Sequence, residues 1–152
     1  MSDNKRRLIT LIAEDDDDDF LLTKEAFEES RLVSEIYRVR DGEELMAFLL
    51  RRDRFSAPAS APRPALILLD LNMPRKDGRE ALAEIKAHPD LRQIPVVILT
   101  TSKAEEDVIR TYDLGANSFI RKPVDFQEFI GICRTLGAYW LEVVQLPPHS
   151  EN

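Results

Sequence analysis

Five short strand-like runs, separated by helical patterns, constrain the fold of this chain more than any other feature. Four of the runs are apolar and the second is more polar; they span residues 8–13, 34–39, 65–71, 94–99 and 117–120. Continuous runs rich in Ile, Leu and Val are typical of strands that are buried on both faces of a parallel sheet. Apolar residues with helical spacing occupy the segments 16–30, 42–51, 78–87, 103–113 and 126–144.

The alternation of these patterns predicts the fold class. Five strands that alternate with five helices favour an α/β protein whose parallel sheet is covered on both sides. Because crossovers between parallel strands are right-handed, we expect a doubly wound sheet. Such sheets bind their ligands beyond the carboxyl ends of the strands, where the strand order reverses.

Helix boundaries are marked by capping patterns. Asp41, Asp77, Ser102 and Asp125 each precede a glutamate by three residues. This spacing predicts an N-cap side chain and a glutamate that returns a hydrogen bond to it. Gly115 is expected to adopt the left-handed conformation that ends the fourth helix.

The length of 152 residues suits one domain, which we expect at residues 8–144 between tails at 1–7 and 145–152. The proline-rich segment 56–64 is interpreted as a surface loop. No apolar run is long enough for a signal peptide or a membrane span, so a cytoplasmic protein is expected. The single cysteine, Cys133, lies in an apolar run and is expected to be a buried, inert thiol.

The net charge of −7 disfavours nucleic-acid binding, because the phosphate backbone would be repelled. The acidic run after the first strand contributes to this charge. Asp16 to Asp19 fall in the first turn of a predicted helix, where acids complement the helix dipole. Glu14 and Asp15 end the strand itself and need another explanation.

Chemically active side chains follow four of the predicted strands. Glu14 and Asp15 end the first, Asp70 the third and Thr100 the fourth, while Lys122 follows the fifth. Since the carboxyl ends of parallel strands share one edge, these side chains are expected to meet. Clustered carboxylates suit a hard cation such as Mg²⁺ or Mn²⁺, which also binds phosphate oxygens.

Asp70 is then a candidate nucleophile, because a carboxylate can accept a phosphoryl group as an acyl phosphate. Lys122 and Thr100 can neutralise and hydrogen-bond the phosphoryl oxygens. An EF-hand loop starting at Asp15 lacks the glycine and glutamate that it needs, and a haloacid-dehalogenase-type phosphatase needs an aspartate where Asn72 stands. A flavodoxin-like redox protein remains an alternative, although acids replace its phosphate-binding loop.

The motifs EDD at 14–16, LLDLNMPRKDG at 68–78, PVVILTTS at 95–102 and FIRKP at 119–123 resemble those of the receiver domain of bacterial response regulators. The resemblance implies a flavodoxin-like sheet with strand order 2-1-3-4-5. It implies that Asp70 is phosphorylated by a sensor histidine kinase, and that the protein is a signalling protein, not a conventional enzyme. A pseudo-receiver that only binds partners is the competing interpretation.

The resemblance also assigns roles to individual residues. Mg²⁺ would be held by Glu14, Asp15 and Asp70, with the backbone carbonyl of Asn72. Lys122 and Thr100 would contact the phosphoryl group. Thr100 and the aromatic Phe119 would form the conformational switch. Asn72 and Ser102 would tune autodephosphorylation.

The proline-rich insertion and the long last helix resemble single-domain regulators that are paired with bacterial phytochromes. A light-sensing bacteriophytochrome kinase is therefore the expected partner. Because only residues 145–152 follow the last helix, no output domain is expected. The signal would pass through a changed surface of the fourth helix, fifth strand and fifth helix to an unknown downstream protein.

The last helix predicts a homodimer. Phe126, Ile130, Cys133, Gly137 and Leu141 are expected to face the sheet. A second apolar stripe on the predicted solvent side consists of Ile132, Leu136, Tyr139 and Val143, and Trp140 adds apolar area between the two stripes. These five residues are the expected dimer interface. An exposed apolar stripe is typical of a partner surface, so the homodimer is expected to form through this helix and neighbouring residues of the fourth helix and fifth strand. The alternative is that the 56–64 loop or the C-terminal tail covers the stripe.

Overall fold

The computed structural model describes residues 8–29, 34–57 and 60–147. Its five strands are β1 Leu8–Ala13, β2 Ser34–Val39, β3 Leu66–Leu69, β4 Val96–Thr100 and β5 Ser118–Arg121. They form one sheet in the order β2-β1-β3-β4-β5, and every neighbouring pair is parallel. The predicted doubly wound α/β fold and its strand order are confirmed.

The five helices are α1 Asp17–Glu28, α2 Gly42–Leu50, α3 Gly78–Ala87, α4 Glu105–Leu114 and α5 Phe126–Ala138. Buried residues form two clusters, one on each face of the sheet. Side chains of α2 and α3 pack in the first cluster. Side chains of α1 and α5 pack in the second, where Gly137 lies against Phe27. Strands β3 and β4 are buried throughout, which explains their continuous apolar runs.

Three of the four predicted N-caps are confirmed. Asp41, Asp77 and Asp125 each accept a hydrogen bond from the backbone N–H three residues later. The predicted return bond from the glutamate completes a capping box at Asp77, but at Asp41 it is absent, because Glu44 accepts from the Arg40 N–H instead. The prediction for Ser102 is wrong, because α4 begins after Ala104, and the Ser102 hydroxyl bonds to Asp107 instead. Gly115 has the predicted left-handed conformation, with φ of 109°.

The end of the last helix corrects the predicted stripes. After Ala138 the chain continues as a π-helical turn, Tyr139–Val143, closed by a hydrogen bond from the Val144 N–H to the Tyr139 carbonyl. A π-turn has more residues per turn than an α-helix. The spacing of three and four residues that was used to predict the apolar stripes therefore does not apply to residues 139–143. Trp140, predicted in the dimer interface, is buried in the second cluster.

The phase of α5 also differs from the prediction. Leu136, predicted to be exposed, is 7% exposed, whereas Phe126, predicted to face the sheet, is 56% exposed. Packing against α1 turns Phe129 inward in its place. Cys133 is buried as predicted, and burial raises the pKa of its thiol. Tyr139 and Val143 are exposed, and Ile132 is partly buried.

The predicted surface loop and the predicted C-terminal tail each contain a buried residue. Ala61, near the end of the 56–64 loop, is buried in the first cluster, and Leu146, in the predicted tail, is buried in the second. Residues 58–59, the N-terminal tail 1–7 and residues 148–152 lie outside the described residues. Within the described ranges, no helix combines the length and apolarity needed to span a bilayer.

Candidate functional site

The carboxyl edge of the sheet brings together the four strand ends that carry reactive side chains. Backbone hydrogen bonds continue past the strands and fix these positions. The Glu14 N–H donates to the carbonyl of Val39, and the Asp70 N–H donates to the carbonyl next to Glu14, that of Ala13. The Lys122 N–H donates to the carbonyl of Thr100 at 2.8 Å. The sheet itself therefore sets the spacing of the site.

Three carboxylates converge at this edge. Glu14, Asp15 and Asp70 each offer an oxygen atom, and these oxygens lie within 4.8 Å of one another. Glu14 and Asp70 are buried, whereas Asp15 is exposed. A set of carboxylate oxygens, two buried and one open to solvent, fits a hard divalent cation that keeps part of its water shell. The donor set therefore matches the predicted metal site.

Lys122 holds the acids together. Its ammonium nitrogen lies 2.5 Å from Glu14, 2.9 Å from Asp19 and 3.2 Å from Asp70, and its side chain is only 5% exposed. The contact with Asp19 was not predicted, because the acidic run gives no sign of which aspartate points inward. The rotation of α1 about its own axis decides which aspartate points inward. Asp19 is therefore more than a helix-dipole residue.

The charges of Glu14 and Lys122 depend on each other. Burial raises the pKa of the Glu14 carboxyl, and the Asp70 carboxylate raises it further, although the Lys122 ammonium acts against both effects. Burial by itself lowers the pKa of Lys122, but the carboxylates of Glu14 and Asp70 outweigh it and hold this pKa above its usual range. Lys122 therefore keeps its positive charge at neutral pH.

Thr100 is already in contact with Asp70. Its hydroxyl donates a hydrogen bond of 2.7 Å to Oδ1 of Asp70, and the Asn72 N–H donates to the same oxygen at 3.1 Å. The Thr100 oxygen in turn accepts long hydrogen bonds of 3.4 Å from the Asn72 side-chain amide and the Ser102 N–H. One Asp70 oxygen is thus oriented by neutral donors, and the other faces Lys122.

Two contacts with backbone atoms support this arrangement. The Gly78 N–H donates to the Leu71 carbonyl, and a Cβ on Gly78 would lie 2.4 Å from the Asp70 carbonyl oxygen. On the other side, the Arg38 guanidinium donates two hydrogen bonds, of 3.1 and 3.0 Å, to the Glu14 carbonyl. Neither Gly78 nor Arg38 was singled out from the sequence, because both act through the backbone.

Phe119 lies in β5, three residues before Lys122, and is partly buried against the first cluster. Its N–H donates a hydrogen bond of 3.1 Å to the hydroxyl of Tyr112 in α4. A surface groove of about 660 Å³ runs between α4 and β5; its lining residues are Glu105, Val108, Ile109, Phe119 and Arg121. The predicted switch aromatic therefore borders a groove that opens on the surface.

A polar cluster beside the site was missed by sequence reasoning. Arg79 of α3 donates two hydrogen bonds of 2.6 Å to the carboxylate of Asp107 in α4. The Ser102 hydroxyl donates to the same carboxylate at 2.5 Å. Ser102 was singled out from the sequence, but its partner Asp107 and the remote Arg79 form no recognisable motif with it, so only the packing of α3 against α4 could reveal the cluster.

The fold and the acidic edge with its lysine can be compared with those of known protein families. Residues 10–134 match the family described as the response regulator receiver domain. The chain therefore belongs to the response regulator receiver family. The alternative function, a flavodoxin-like redox protein, would have the same strand order but would belong to a different family.

The chain is similar to response regulators of phytochrome systems. It is 44% identical to response regulator Rcp1 of Synechocystis sp., over 91% of this chain and 92% of that protein. The crystal structure of the Mn²⁺-bound form of Rcp1 matches with a TM-score of 0.89 at 43% identity, covering 93% of this chain and 99% of that one. The phosphorylated cyanobacterial phytochrome response regulator RcpA matches with the same TM-score at 41% identity, covering 94% and 100%.

Proposed function

We propose that this protein accepts a phosphoryl group on Asp70 from a sensor histidine kinase of the phytochrome type and transmits the signal by a change of surface. The observation that carries this proposal is the position of Asp70, which is buried between Lys122, Thr100 and the acids Glu14 and Asp15. An interaction module without this chemistry would have no need to bury acids around one lysine. The pseudo-receiver interpretation therefore has less support.

A divalent cation fits the proposal. Glu14, Asp15 and Asp70 would hold it, together with the backbone carbonyl of Asn72, and Mg²⁺ is the expected ion. When bound, it would neutralise negative charge on phosphoryl oxygens. The relative Rcp1 has been crystallised in an Mn²⁺-bound form, which supports a divalent ion here.

The chain's own residues orient the acceptor. In the transfer, a bond forms between an Asp70 oxygen and phosphorus, while the bond between phosphorus and the kinase histidine nitrogen breaks. Lys122 would contact a phosphoryl oxygen through its ammonium, and Thr100 would donate a hydrogen bond to another. Phosphoryl transfer needs mainly such positioning and charge stabilisation. Asn72 and Ser102 both form hydrogen bonds with the Thr100 hydroxyl, beside Asp70. They would control how fast water removes the phosphoryl group from Asp70.

The first experiment identifies the phosphorylated residue. We expect the wild-type protein, incubated with Mg²⁺ and acetyl phosphate or a phosphorylated histidine kinase, to gain one base-labile phosphoryl group in its intact mass. Asp70→Asn is expected to abolish this gain, because the nucleophilic carboxylate is lost, and EDTA is expected to prevent it. Asp113→Asn, which changes an exposed carboxylate on α4, is the matched control and should label normally. Labelling of Asp70→Asn would contradict the proposal.

The switch would connect Asp70 to the surface of α4, β5 and α5. Phosphorylation adds a charge of about −1.5 to −2 and three acceptor oxygens. Thr100 would follow these oxygens, and Phe119, which borders the groove beside α4, would change its packing. Such a change is a shift between two packings of one fold. It would alter the contact between Phe119 and Tyr112.

The same surface is the proposed homodimer interface. Exposed apolar side chains lie on α4 and at the end of α5; they are Ile109, Tyr112, Tyr139 and Val143, with Ile132 partly buried nearby. Leu136 and Trp140, buried in the core, are no longer part of the proposed contact. Large exposed apolar side chains are typical of interaction surfaces.

The dimer is tested by mass. We expect light scattering to give a dimer at micromolar concentration, with or without a beryllium fluoride phosphoryl mimic, and Tyr139→Glu with Val143→Glu to give a monomer. Leu21→Glu, an equally exposed apolar residue on α1, should leave the mass unchanged. A monomeric wild-type protein under both conditions would refute the interface.

A further inference from the structure

The polar cluster beside the site is a continuous chain of contacts from helix α3 to the acceptor aspartate. It starts at Arg79, in the first turn of α3, and crosses to Asp107 in the first turn of α4. Asp107 accepts from the Ser102 hydroxyl, and Ser102 lies in the loop between β4 and α4. That loop begins directly after Thr100, whose hydroxyl is bonded to Asp70.

The ion pair at the start of this chain is well fixed. The side chains of Arg79 and Asp107 are 21% and 12% exposed, and the guanidinium makes two parallel hydrogen bonds, the geometry that gives the strongest Arg–carboxylate pairs. Arg79 itself is held at the start of α3, where its N–H donates to Oδ1 of Asp77. Hydrogen bonds from Arg79, and also from Ser102, lower the pKa of the Asp107 carboxyl to about 2, so it is ionised at neutral pH.

Helix α4 begins without a conventional side-chain cap. The residue at the N-cap, Ala104, offers no side-chain hydrogen bond. The loop is held from the side by Ser102, which donates to Asp107 and accepts a long hydrogen bond from the Ala104 N–H at 3.4 Å. The position of the loop therefore depends on a carboxylate of α4 that Arg79 anchors from α3.

We propose that Arg79 and Asp107 are positioning residues for phosphoryl transfer to Asp70. Through Ser102 they hold the β4–α4 loop in the position where the Thr100 hydroxyl already contacts the Asp70 carboxylate. The acceptor is thus pre-organised before the phosphoryl group arrives, and the transfer needs no prior movement of the loop. This inference rests on the proposed function, since it assumes that Asp70 is the acceptor.

Breaking the ion pair is expected to slow phosphorylation without weakening metal binding. At saturating Mg²⁺ and acetyl phosphate, and at a temperature where every variant is folded, we expect Arg79→Gln and Asp107→Asn each to lower the first-order rate constant about tenfold, because misplaced groups lose orientation. The double variant should be no slower than either single variant, because both remove the same contact. The Mg²⁺ dissociation constant, measured by calorimetry, should stay within about twofold of the wild-type value, because neither residue belongs to the carboxylate set.

Two further variants separate positioning from stability. Arg79→Lys keeps the charge but loses the parallel hydrogen bonds, so we expect an intermediate rate and a folded protein. Arg134→Gln is the matched control, because Arg134 makes a similar two-contact pair with Glu29 between α5 and the end of α1, away from the site. It should label at the wild-type rate.

The outcomes are distinguishable. Wild-type labelling together with unchanged rates in folded Arg79→Gln and Asp107→Asn would overturn the positioning role alone. A lowered unfolding midpoint with unchanged rates would give these residues a purely structural role and would also overturn it. A wild-type protein that takes up no phosphoryl group would overturn the proposed function and this inference with it.

Discussion

Replacing Lys122 by methionine is expected to slow the phosphorylation of Asp70 about 100-fold and to lower the free energy of unfolding by about 3 kcal/mol when no divalent cation is present. The ammonium contacts Glu14, Asp19 and Asp70 in a pocket where its own side chain is 5% exposed. Its removal leaves these carboxylates without a counter-charge in a site that excludes most of the solvent.

In the proposed function a bound divalent ion and Lys122 would both neutralise the acids, so we expect magnesium to reverse part of the stability loss in Lys122→Met. We expect Mg²⁺ to raise the urea midpoint of the variant more than that of the wild-type protein. The matched control is Lys24→Met, because Lys24 pairs with Glu28 on the surface of α1. Equal unfolding free energies for Lys122→Met and the wild type in EDTA would show that Lys122 does not offset the repulsion between the buried carboxylates.

Replacing Gly78 by alanine is the second change with a large expected effect. The added Cβ would lie 2.4 Å from the Asp70 carbonyl oxygen and 2.7 Å from the Leu71 Cα, and both contacts are with backbone atoms. The loop after β3 must move to make room, and Asp70 moves with it. We expect the free energy of unfolding to fall by about 3 kcal/mol and the Mg²⁺ affinity to fall as well, because Asp70 is one of the proposed ligands.

The urea unfolding curve of Gly78→Ala is best compared with that of Gly131→Ala. Gly131 lies inside α5, and a Cβ there would meet no atom within 4 Å. Alanine should therefore stabilise this helix by about 1 kcal/mol through its higher helix propensity. Stabilisation of both variants would mean that the close approach at Gly78 is absent in solution.

The local pattern was sufficient for most of the fold. Period and composition located each strand to within about two residues, and the aspartate caps placed the starts of α2, α3 and α5. The cap predicted at Ser102 failed, since a serine three residues before a glutamate can also bond to a different acidic side chain. Here Asp107 competes successfully because Arg79 fixes it in place.

The candidate site also contains residues that the sequence predicted and residues that it did not. Residues that end strands could be predicted to meet, because a parallel sheet brings all carboxyl ends to one edge. Asp19, in contrast, looks like its acidic neighbours, and its contact with Lys122 depends on how α1 rotates over the sheet. Phe126, Leu136 and Trp140 were assigned to the wrong face of the last helix for a related reason, because packing against α1 and a π-turn decide which side chains are buried there.

The sequence by itself determined the order of strands and helices, the parallel sheet and the edge at which Glu14, Asp15, Asp70, Thr100 and Lys122 gather, because these follow from periodicity and from chain direction. Only the tertiary structure decided which polar side chains pair across helices and which face of α5 is buried. Those outcomes depend on distances between segments remote in the chain, and such distances are fixed only when the helices pack on the sheet.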